Sequence, residues 1–299
     1  MIDVLLIILA LIFLVVGAIT DIKTREVPDW VSYSAIFAGI GLRLLTSIAT
    51  FDWSWLVAGA LGLLGFGIVA YAMFYLGQWG GGDSKLLIGI GALIGVDIKF
   101  GAGLGNSLLN SAAVAFVVWL LLAGAVYGTI YIIVLSLKNW KVFSANAKQL
   151  LKKKKYQLPQ YAVFALALIL VVLAFFTTND LLFRIPFIGL AIILPFTFYL
   201  TVAVSAVEKC CMLKLVKPEQ LTEGDWIVKD VFVAGKRITG PKDLGISREQ
   251  IRQLLALKRK GKIKKDFRVL IKNGIPFVPS FLIAYVAMLL FGNLLVALL

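Results

Sequence analysis

The sequence contains no histidine, and its 299 residues include only two cysteines, Cys210 and Cys211. The lack of histidine excludes Ser-His and Cys-His catalysis, histidine-ligated zinc or haem, and proton transfer through imidazole. The adjacent cysteines do not form a CxxC metal or redox motif, so we interpret them as ordinary thiols. We expect no cofactor and no metal ion, and acid–base chemistry is left to 16 carboxylates and 30 Lys/Arg residues.

Charged residues are also scarce, at 15% of the chain, whereas 61% of the residues are hydrophobic. A soluble globular domain has about 25% charged and about 45–50% apolar residues. The abundance of Leu, Ile, Val and Phe argues equally against a disordered chain. The composition therefore predicts a polytopic membrane protein.

A transmembrane helix needs about 20 apolar residues, and eight stretches approach this length. We predict an all-α polytopic membrane protein with about eight transmembrane helices (range six to eight) and a small α+β cytoplasmic domain before the last helix. The fourth stretch has a charge-free core of only 11 residues and spans the bilayer only by continuing through Asp97 and Lys99 or where the bilayer is thin. The stretches are 4–20, 30–49, 54–78, 86–96, 101–137, 159–179, 185–207 and 275–299.

The first stretch is predicted to be a retained span, because it lacks the basic start and the A-x-A site of a signal peptide. The predicted organisation is a membrane domain with the candidate catalytic residues, a basic cytoplasmic loop, further membrane helices, a small basic cytoplasmic domain and a C-terminal membrane helix. These five parts are 1–137, 138–158, 159–207, 208–274 and 275–299.

Basic residues are concentrated on alternate loops. Positively charged loops of membrane proteins face the cytoplasm, which places both termini outside. If the short fourth helix did not cross, the seven lysines of 138–158 would lie outside. We expect this charge to face anionic lipid headgroups and not nucleic acid, because no aromatic residues interleave it. Of the 30 Lys/Arg residues, 27 fall in 21–29, 77–85, 138–158 and 208–274.

The polar segment 208–274 carries signals of both strands and a helix. Residues 226–233 alternate between apolar and polar, and a glycine-containing turn follows at 234–236. Ser247 and Gln250 have the spacing of a capping box that opens a helix. We interpret the segment as a structural or docking module, with substrate positioning as the alternative.

Two aspartates stand out among the carboxylates, because acidic residues at a membrane edge are functional candidates. Asp21 ends the first stretch and Asp83 opens the fourth, so the predicted topology places both at the cytoplasmic edge. Two carboxylates that meet at one depth can share a proton, so that one activates water and the other donates to the scissile carbonyl. This pattern indicates an aspartyl protease, whereas a lone boundary charge is the alternative for either residue.

Three glycines, Gly80, Gly81 and Gly82, precede Asp83. Glycine adopts positive φ easily and allows a peptide backbone to approach closely, so we expect these residues to face an extended substrate. Lys23 and Lys85 are candidate modulators of the aspartate pair. The alternative is that both lysines only extend their side chains to the membrane edge.

The order of these motifs resembles the type IV prepilin peptidases, which are GxGD-type intramembrane aspartyl proteases. The matching features are Asp21 at a helix end, basic residues and Val27-Pro28-Asp29 after it, and Gly-x-Gly-Asp at 80–83 before Lys85. The resemblance covers residues 1–105 well. It implies that Asp21 and Asp83 are the catalytic pair.

The segment 274–279 looks like the C-terminal region of the archaeal preflagellin and prepilin peptidase group. Bacterial bifunctional members carry a loop with paired CxxC motifs linked to N-methylation, and the short first loop here has no cysteine. The resemblance thus favours a peptidase without N-methyltransferase activity. The chain is longer than a minimal preflagellin peptidase, which leaves preflagellin and other pilin-like precursors both open as substrates. Presenilin-like proteases also carry GxGD, but their Tyr-Asp and Pro-Ala-Leu motifs do not occur here.

The implied substrate is a membrane-inserted precursor with a short basic leader and a long apolar helix, cleaved at the cytoplasmic membrane edge. Asp83 lies at a predicted helix N-terminus, where the dipole favours an anion, and Asp21 lies at a helix C-terminus. These positions predict Asp83 as the base and Asp21 as the acid. The main alternative is an ion- or proton-coupled transporter that uses both aspartates as a cation site. The third hypothesis is that the protein is a membrane scaffold without catalytic activity.

Overall fold

A computed structural model describes residues 2–96, 111–176, 181–264, 266–294 and 296 of the chain. Within these ranges, six helices are long and apolar enough to cross a membrane, which confirms the predicted polytopic fold. The helices are α1 (Ile2–Thr24), α2 (Asp29–Thr50), α3 (Ser54–Tyr75), α4 (Gly81–Ile94), α5 (Ala112–Lys138), α6 (Trp140–Leu151), α7 (Lys154–Phe176), α8 (Leu181–Val207), α9 (Arg248–Arg259) and α10 (Val278–Phe291). The strands are β1 (Leu213–Val216), β2 (Trp226–Ile227), β3 (Val231–Val233), β4 (Lys236–Thr239) and β5 (Val269–Lys272).

The chain divides into two compact units, of which the first comprises Met1–Thr129, Leu221–Lys264 and Gly274–Leu299. In this unit α4 packs between α2 and α3, and α1 packs against α2 and α10. The core contains fully buried apolar side chains from several helices, including Leu14, Leu86, Phe116 and Phe281. Burial of these side chains holds the ends of α1, α4 and α10 near one another.

The short helix α4 begins at Gly81, five residues before the charge-free stretch 86–96, and has 14 residues. It ends before Gly95, whose φ of +71° terminates the helix. The predicted continuation through Asp97 and Lys99 lies outside the described residues. The last helix, α10, is also only 14 residues long, and the end of the predicted span 275–299 lies beyond the described part.

The buried side chain of Arg43 on α2 forms hydrogen bonds with the backbone carbonyl groups at the C-terminal end of α4. Its guanidinium donates to the carbonyl oxygens of Ala92 at 3.0 Å, Leu93 at 2.9 Å and Ile94 at 2.8 Å. The last four carbonyls of a helix have no partner within the helix, and leaving them unpaired in an apolar environment is costly. Arg43 thus allows α4 to end within the helix bundle.

The second unit comprises Ile130–Gln220 and Lys265–Asn273. The segment 138–158, predicted as a loop, is largely helical, because α6 and the first turn of α7 lie within it. Leu150 of α6 is buried against Val202 and Ala206, so one apolar face of a basic segment is enough to fix a helix. β1 and β5 pair antiparallel, and both cysteines are free thiols.

The part of the polar segment that belongs to the first unit contains strands and a helix, as predicted. β3 and β4 form an antiparallel hairpin whose turn uses positive φ at Ala234 and Gly235. Ser247 caps α9, since its hydroxyl accepts the Gln250 N–H at 3.2 Å and the Gln250 side chain accepts the Ser247 N–H at 2.9 Å. The predicted capping box is confirmed.

Candidate active site

Asp21 lies in the last turn of α1 and is buried, with 4% of its surface exposed. Its Oδ2 atom accepts a hydrogen bond of 2.9 Å from the backbone N–H of Val278, the first residue of α10. The backbone N–H of Phe277 also acts on this carboxyl group. The end of the first helix is therefore joined to the beginning of the last one.

Asp83 lies in the first turn of α4, as predicted. Its Oδ2 atom accepts the Gly80 N–H at 3.3 Å, which closes the start of the helix. Asp21 is close enough for its charge to act on the Asp83 carboxyl group. The structure thus brings together the two aspartates that the sequence separates by 62 residues.

The three glycines before Asp83 do not adopt positive φ: Gly80 has φ −70°, and Gly81 and Gly82 begin α4. The positive φ of this loop lies at Gly77, with +67°. A Cβ atom on Gly82 would lie 3.1 Å from the Val27 nitrogen, so this glycine is needed for contact between α4 and the loop before α2. A Cβ atom on Gly81 would have room, its nearest neighbour being Phe74 at 3.8 Å.

The two candidate lysine modulators differ in their surroundings. The Nζ atom of Lys85 lies 2.6 Å from Oδ1 of Asp29 and 5.6 Å from the centre of the Tyr33 ring. Lys85 therefore joins α4 to the beginning of α2. Lys23 is exposed.

Sequence reasoning did not assign Arg25 to the site. Its positive charge acts on Asp21, and its Nη1 atom donates to the Gly274 carbonyl oxygen at 2.7 Å. The N–H groups of Phe277 and Val278 were missed as well. The family-like segment 274–279 was the only signal in the sequence, and it did not reveal a contact with Asp21.

An aromatic cluster stands beside the site. The ring of Trp79, which directly precedes the glycines, lies 5.7 Å from the Phe277 ring and 5.4 Å from the Phe281 ring. Phe277 and Phe281 contact each other edge to face at 5.7 Å. The cluster packs the residues before Asp83 against the beginning of α10, and such aromatic pairs add about 0.5–1.5 kcal/mol each beyond burial.

Two neighbouring carboxyl groups, each of which accepts a hydrogen bond from a backbone N–H group, are suited to acid–base chemistry on water and a carbonyl group. Comparison with known proteins agrees with this chemistry: residues 8–133, which contain both aspartates, match the type IV leader peptidase family. This region is therefore similar to that family. The resemblance predicted from the motifs is confirmed there.

Several proteins similar to this chain are named preflagellin peptidase. The protein from Methanococcus maripaludis is 35% identical over 81 residues, which cover 27% of this chain and 35% of the relative. The Methanocaldococcus jannaschii protein is 35% identical over 27% of this chain and 34% of its own length. The Methanococcus voltae protein is 29% identical over 50% of this chain and 63% of its own length. The chain thus spans about a third of two relatives and under two thirds of the third. No solved structure is a significant match.

Proposed function

We propose that the protein is a membrane-embedded aspartyl endopeptidase that removes the short basic leader from preflagellin or type IV prepilin-like precursors. The observation that carries the proposal is the approach of Asp21 and Asp83 within the leader peptidase region. The names of the relatives support preflagellin-like precursors as the substrate class. The substrate would be inserted in the membrane by its apolar helix.

The reaction follows from two carboxyl groups that share one proton. The ionised carboxylate takes a proton from a water molecule, and the resulting hydroxide attacks the scissile carbonyl carbon. The protonated carboxyl group donates its proton to the carbonyl oxygen as the tetrahedral intermediate forms. The carboxyl group that took the proton from water then gives it to the leaving nitrogen, and the C–N bond breaks. The other carboxylate takes back a proton from a hydroxyl group of the intermediate, which restores the starting state. These steps use only the aspartates and water, in keeping with the expectation that no cofactor or metal is needed.

We propose that the site opens to the cytoplasm, with both termini of the chain outside. The apolar helix of the precursor would lie among the helices of the enzyme, and its leader would stay in the cytoplasm. Glu26 and Asp29 are exposed beside the site and are candidates to receive the basic leader, although Asp29 already pairs with Lys85. The basic segments 138–158 and 208–274 would face anionic lipid headgroups. The second of these is proposed to dock or position the precursor.

Cleavage by the purified protein tests the proposal. In detergent, we expect the wild type to cleave one or more of a panel of preflagellin and prepilin-like precursors. Asp21→Asn and Asp83→Asn are each expected to lower the rate by about 1,000-fold or more, because catalytic groups that act as a unit fail together. Gel mobility and mass spectrometry of the products measure the reaction.

Asp3→Asn is the matched control, since Asp3 is an exposed aspartate in the first turn of the same helix as Asp21. It is expected to retain the wild-type rate. Normal cleavage by both site variants would refute the site, and a wild type that cleaves none of the panel would refute the function. The transporter alternative predicts that outcome, but the family match and the names of the relatives do not support it.

We further propose that the enzyme lacks N-methyltransferase activity. When cleavage proceeds in the presence of S-adenosylmethionine, the new N-terminus of the product is expected to carry no methyl group. Intact-mass analysis distinguishes the two products. A methylated product would contradict the proposal and leave the peptidase assignment unaffected.

A further inference from the structure

We propose that the first turn of α10 belongs to this catalytic site. It stabilises the ionised form of Asp21, which acts as the base, so that Asp83 keeps the proton and acts as the acid. The inference rests on the proposed peptidase function. It extends the site to residues outside the family match, which ends at residue 133. It also reverses the roles expected from the positions of the two aspartates on their own helices.

The hydrogen bonds of the two carboxyl groups differ. Asp21 accepts the N–H of Val278 in a buried bond of 2.9 Å, and the backbone N–H of Phe277 also acts on its carboxyl group. Asp83 accepts the Gly80 N–H at the longer distance of 3.3 Å. Hydrogen bonds from backbone N–H groups to an ionised carboxylate are stronger than those to a neutral carboxyl group, so the shorter, buried bond favours the anion at Asp21.

The helix dipoles are compatible with an ionised Asp21. Asp21 lies at the C-terminal end of α1, but its carboxylate contacts the N-terminus of α10, where an anion is stabilised. Asp83 lies at the N-terminus of α4, so both carboxyl groups are next to a helix N-terminus and the hydrogen bonds distinguish them. The sequence could not show the contact of Asp21 with α10, because Val278 is 257 residues away from Asp21.

The charged groups that act on Asp21 come from two directions. Arg25, just after α1, is positive and favours the ionised form of Asp21. Asp83 on α4 is the acidic neighbour, and α10 contributes backbone N–H groups from its first turn. When Asp21 holds the negative charge, like-charge repulsion keeps the proton on Asp83. Each of these interactions favours the same division of roles.

The beginning of α10 is held at several points. Arg25 binds the Gly274 carbonyl oxygen just before the helix, and Phe277 packs against Trp79. Pro279 stands at the second position of α10, where its missing N–H is not needed. Arg25 and Phe277 are therefore positioning residues that orient the N–H donors toward Asp21.

A titration without substrate tests the division of roles. The purified Asp83→Asn and Asp21→Asn proteins each retain one of the two carboxyl groups, and the Asp21→Asn/Asp83→Asn double variant serves as the reference for infrared difference spectra. As the pH is raised, we expect Asp21 to ionise at least about one pH unit before Asp83, a tenfold difference in proton affinity. Coincident titration or the reverse order would overturn the inference. Because the measurement needs no cleavage, its failure is distinguishable from failure of the peptidase function.

Kinetics test the positioning role of Arg25. Arg25→Ala removes both the bond to Gly274 and a charge near Asp21, and is expected to lower kcat by about tenfold with KM changed by less than about twofold, as for a lost charge-assisted hydrogen bond. Arg25→Lys, which keeps a positive donor, is expected to restore a large part of kcat. Lys141→Ala, which removes an exposed positive charge from α6, is expected to change neither constant. A raised KM with unchanged kcat would assign Arg25 to substrate binding and overturn its positioning role.

Discussion

Arg43 is a charged residue in an apolar stretch of the sequence, but in the structure it stabilises the helix bundle. In the sequence it interrupts an otherwise uncharged stretch of α2. In the structure its side chain is buried and donates to three carbonyl groups at the end of α4. The charge is tolerated at that depth because the five N–H donors of a guanidinium group can pair with several acceptors at once.

Replacement of Arg43 by methionine is expected to destabilise the protein. Arg43→Met keeps much of the side-chain volume but leaves carbonyl groups of α4 unpaired, at a cost on the order of 3 kcal/mol. The stability of Arg43→Lys is expected to lie between that of the wild type and that of Arg43→Met, since a lysine has fewer N–H donors than an arginine and lacks the planar guanidinium group. Thermal unfolding in detergent measures the change.

Lys138→Met is the control for loss of a positive charge, because Lys138 is exposed at the end of α5. It is expected to change the free energy of unfolding by less than about 0.5 kcal/mol. Equal stability of Arg43→Met and Lys138→Met would contradict the role assigned to Arg43.

At the scale of elements, α4 approaches its neighbours through glycines on both sides of the contact. A Cβ atom on Gly62 of α3 would collide with the Gly91 carbonyl oxygen and lie 2.8 Å from the Gly95 Cα atom. On the opposite side, a Cβ atom on Gly89 would lie 2.7 Å from that of Ala35. Small residues let helix backbones in membranes approach closely, and here they fix the position of the helix that carries Asp83.

Gly62→Ala and Gly65→Ala form a matched pair on one helix. Gly62→Ala is expected to destabilise the protein by about 1–3 kcal/mol and to lower activity, because the added methyl group pushes α4 away. Gly65 has open space around its Cβ position, and Gly65→Ala is expected to change stability by no more than about 1 kcal/mol. Thermal unfolding and the cleavage assay measure both variants. Equal tolerance of both substitutions would refute the close-packing argument.

Local signals in the sequence predicted the elements that depend on local physics. Hydropathy located the long helices, and Ser247 with Gln250 located the beginning of α9. The helix α6 was not predicted because its many basic residues obscure the apolar face that contains the buried Leu150. The contact between Asp21 and α10 was missed because only tertiary packing brings those residues together.

For the whole molecule, the placement of basic residues predicts the orientation in the membrane. With both native cysteines replaced by serine, single cysteines at exposed positions report the side on which each loop lies. In intact cells, a membrane-impermeant thiol reagent is expected to label Asp52→Cys, between α2 and α3, and not Lys155→Cys or Lys236→Cys. Permeabilised cells are expected to label all three. Labelling of Lys155→Cys in intact cells would contradict the predicted topology.

The hydrogen bond between Val278 and Asp21 has a consequence for biosynthesis. Both aspartates precede α10 in the chain, and the N–H donor of Val278 is synthesised 195 residues after Asp83. A ribosome-bound chain that has already inserted α1 and α4 still lacks the partner of Asp21. Asp21 therefore gains this hydrogen bond only after α10 has been made and has docked, and under the proposed function the catalytic pair is assembled only when that helix is in place.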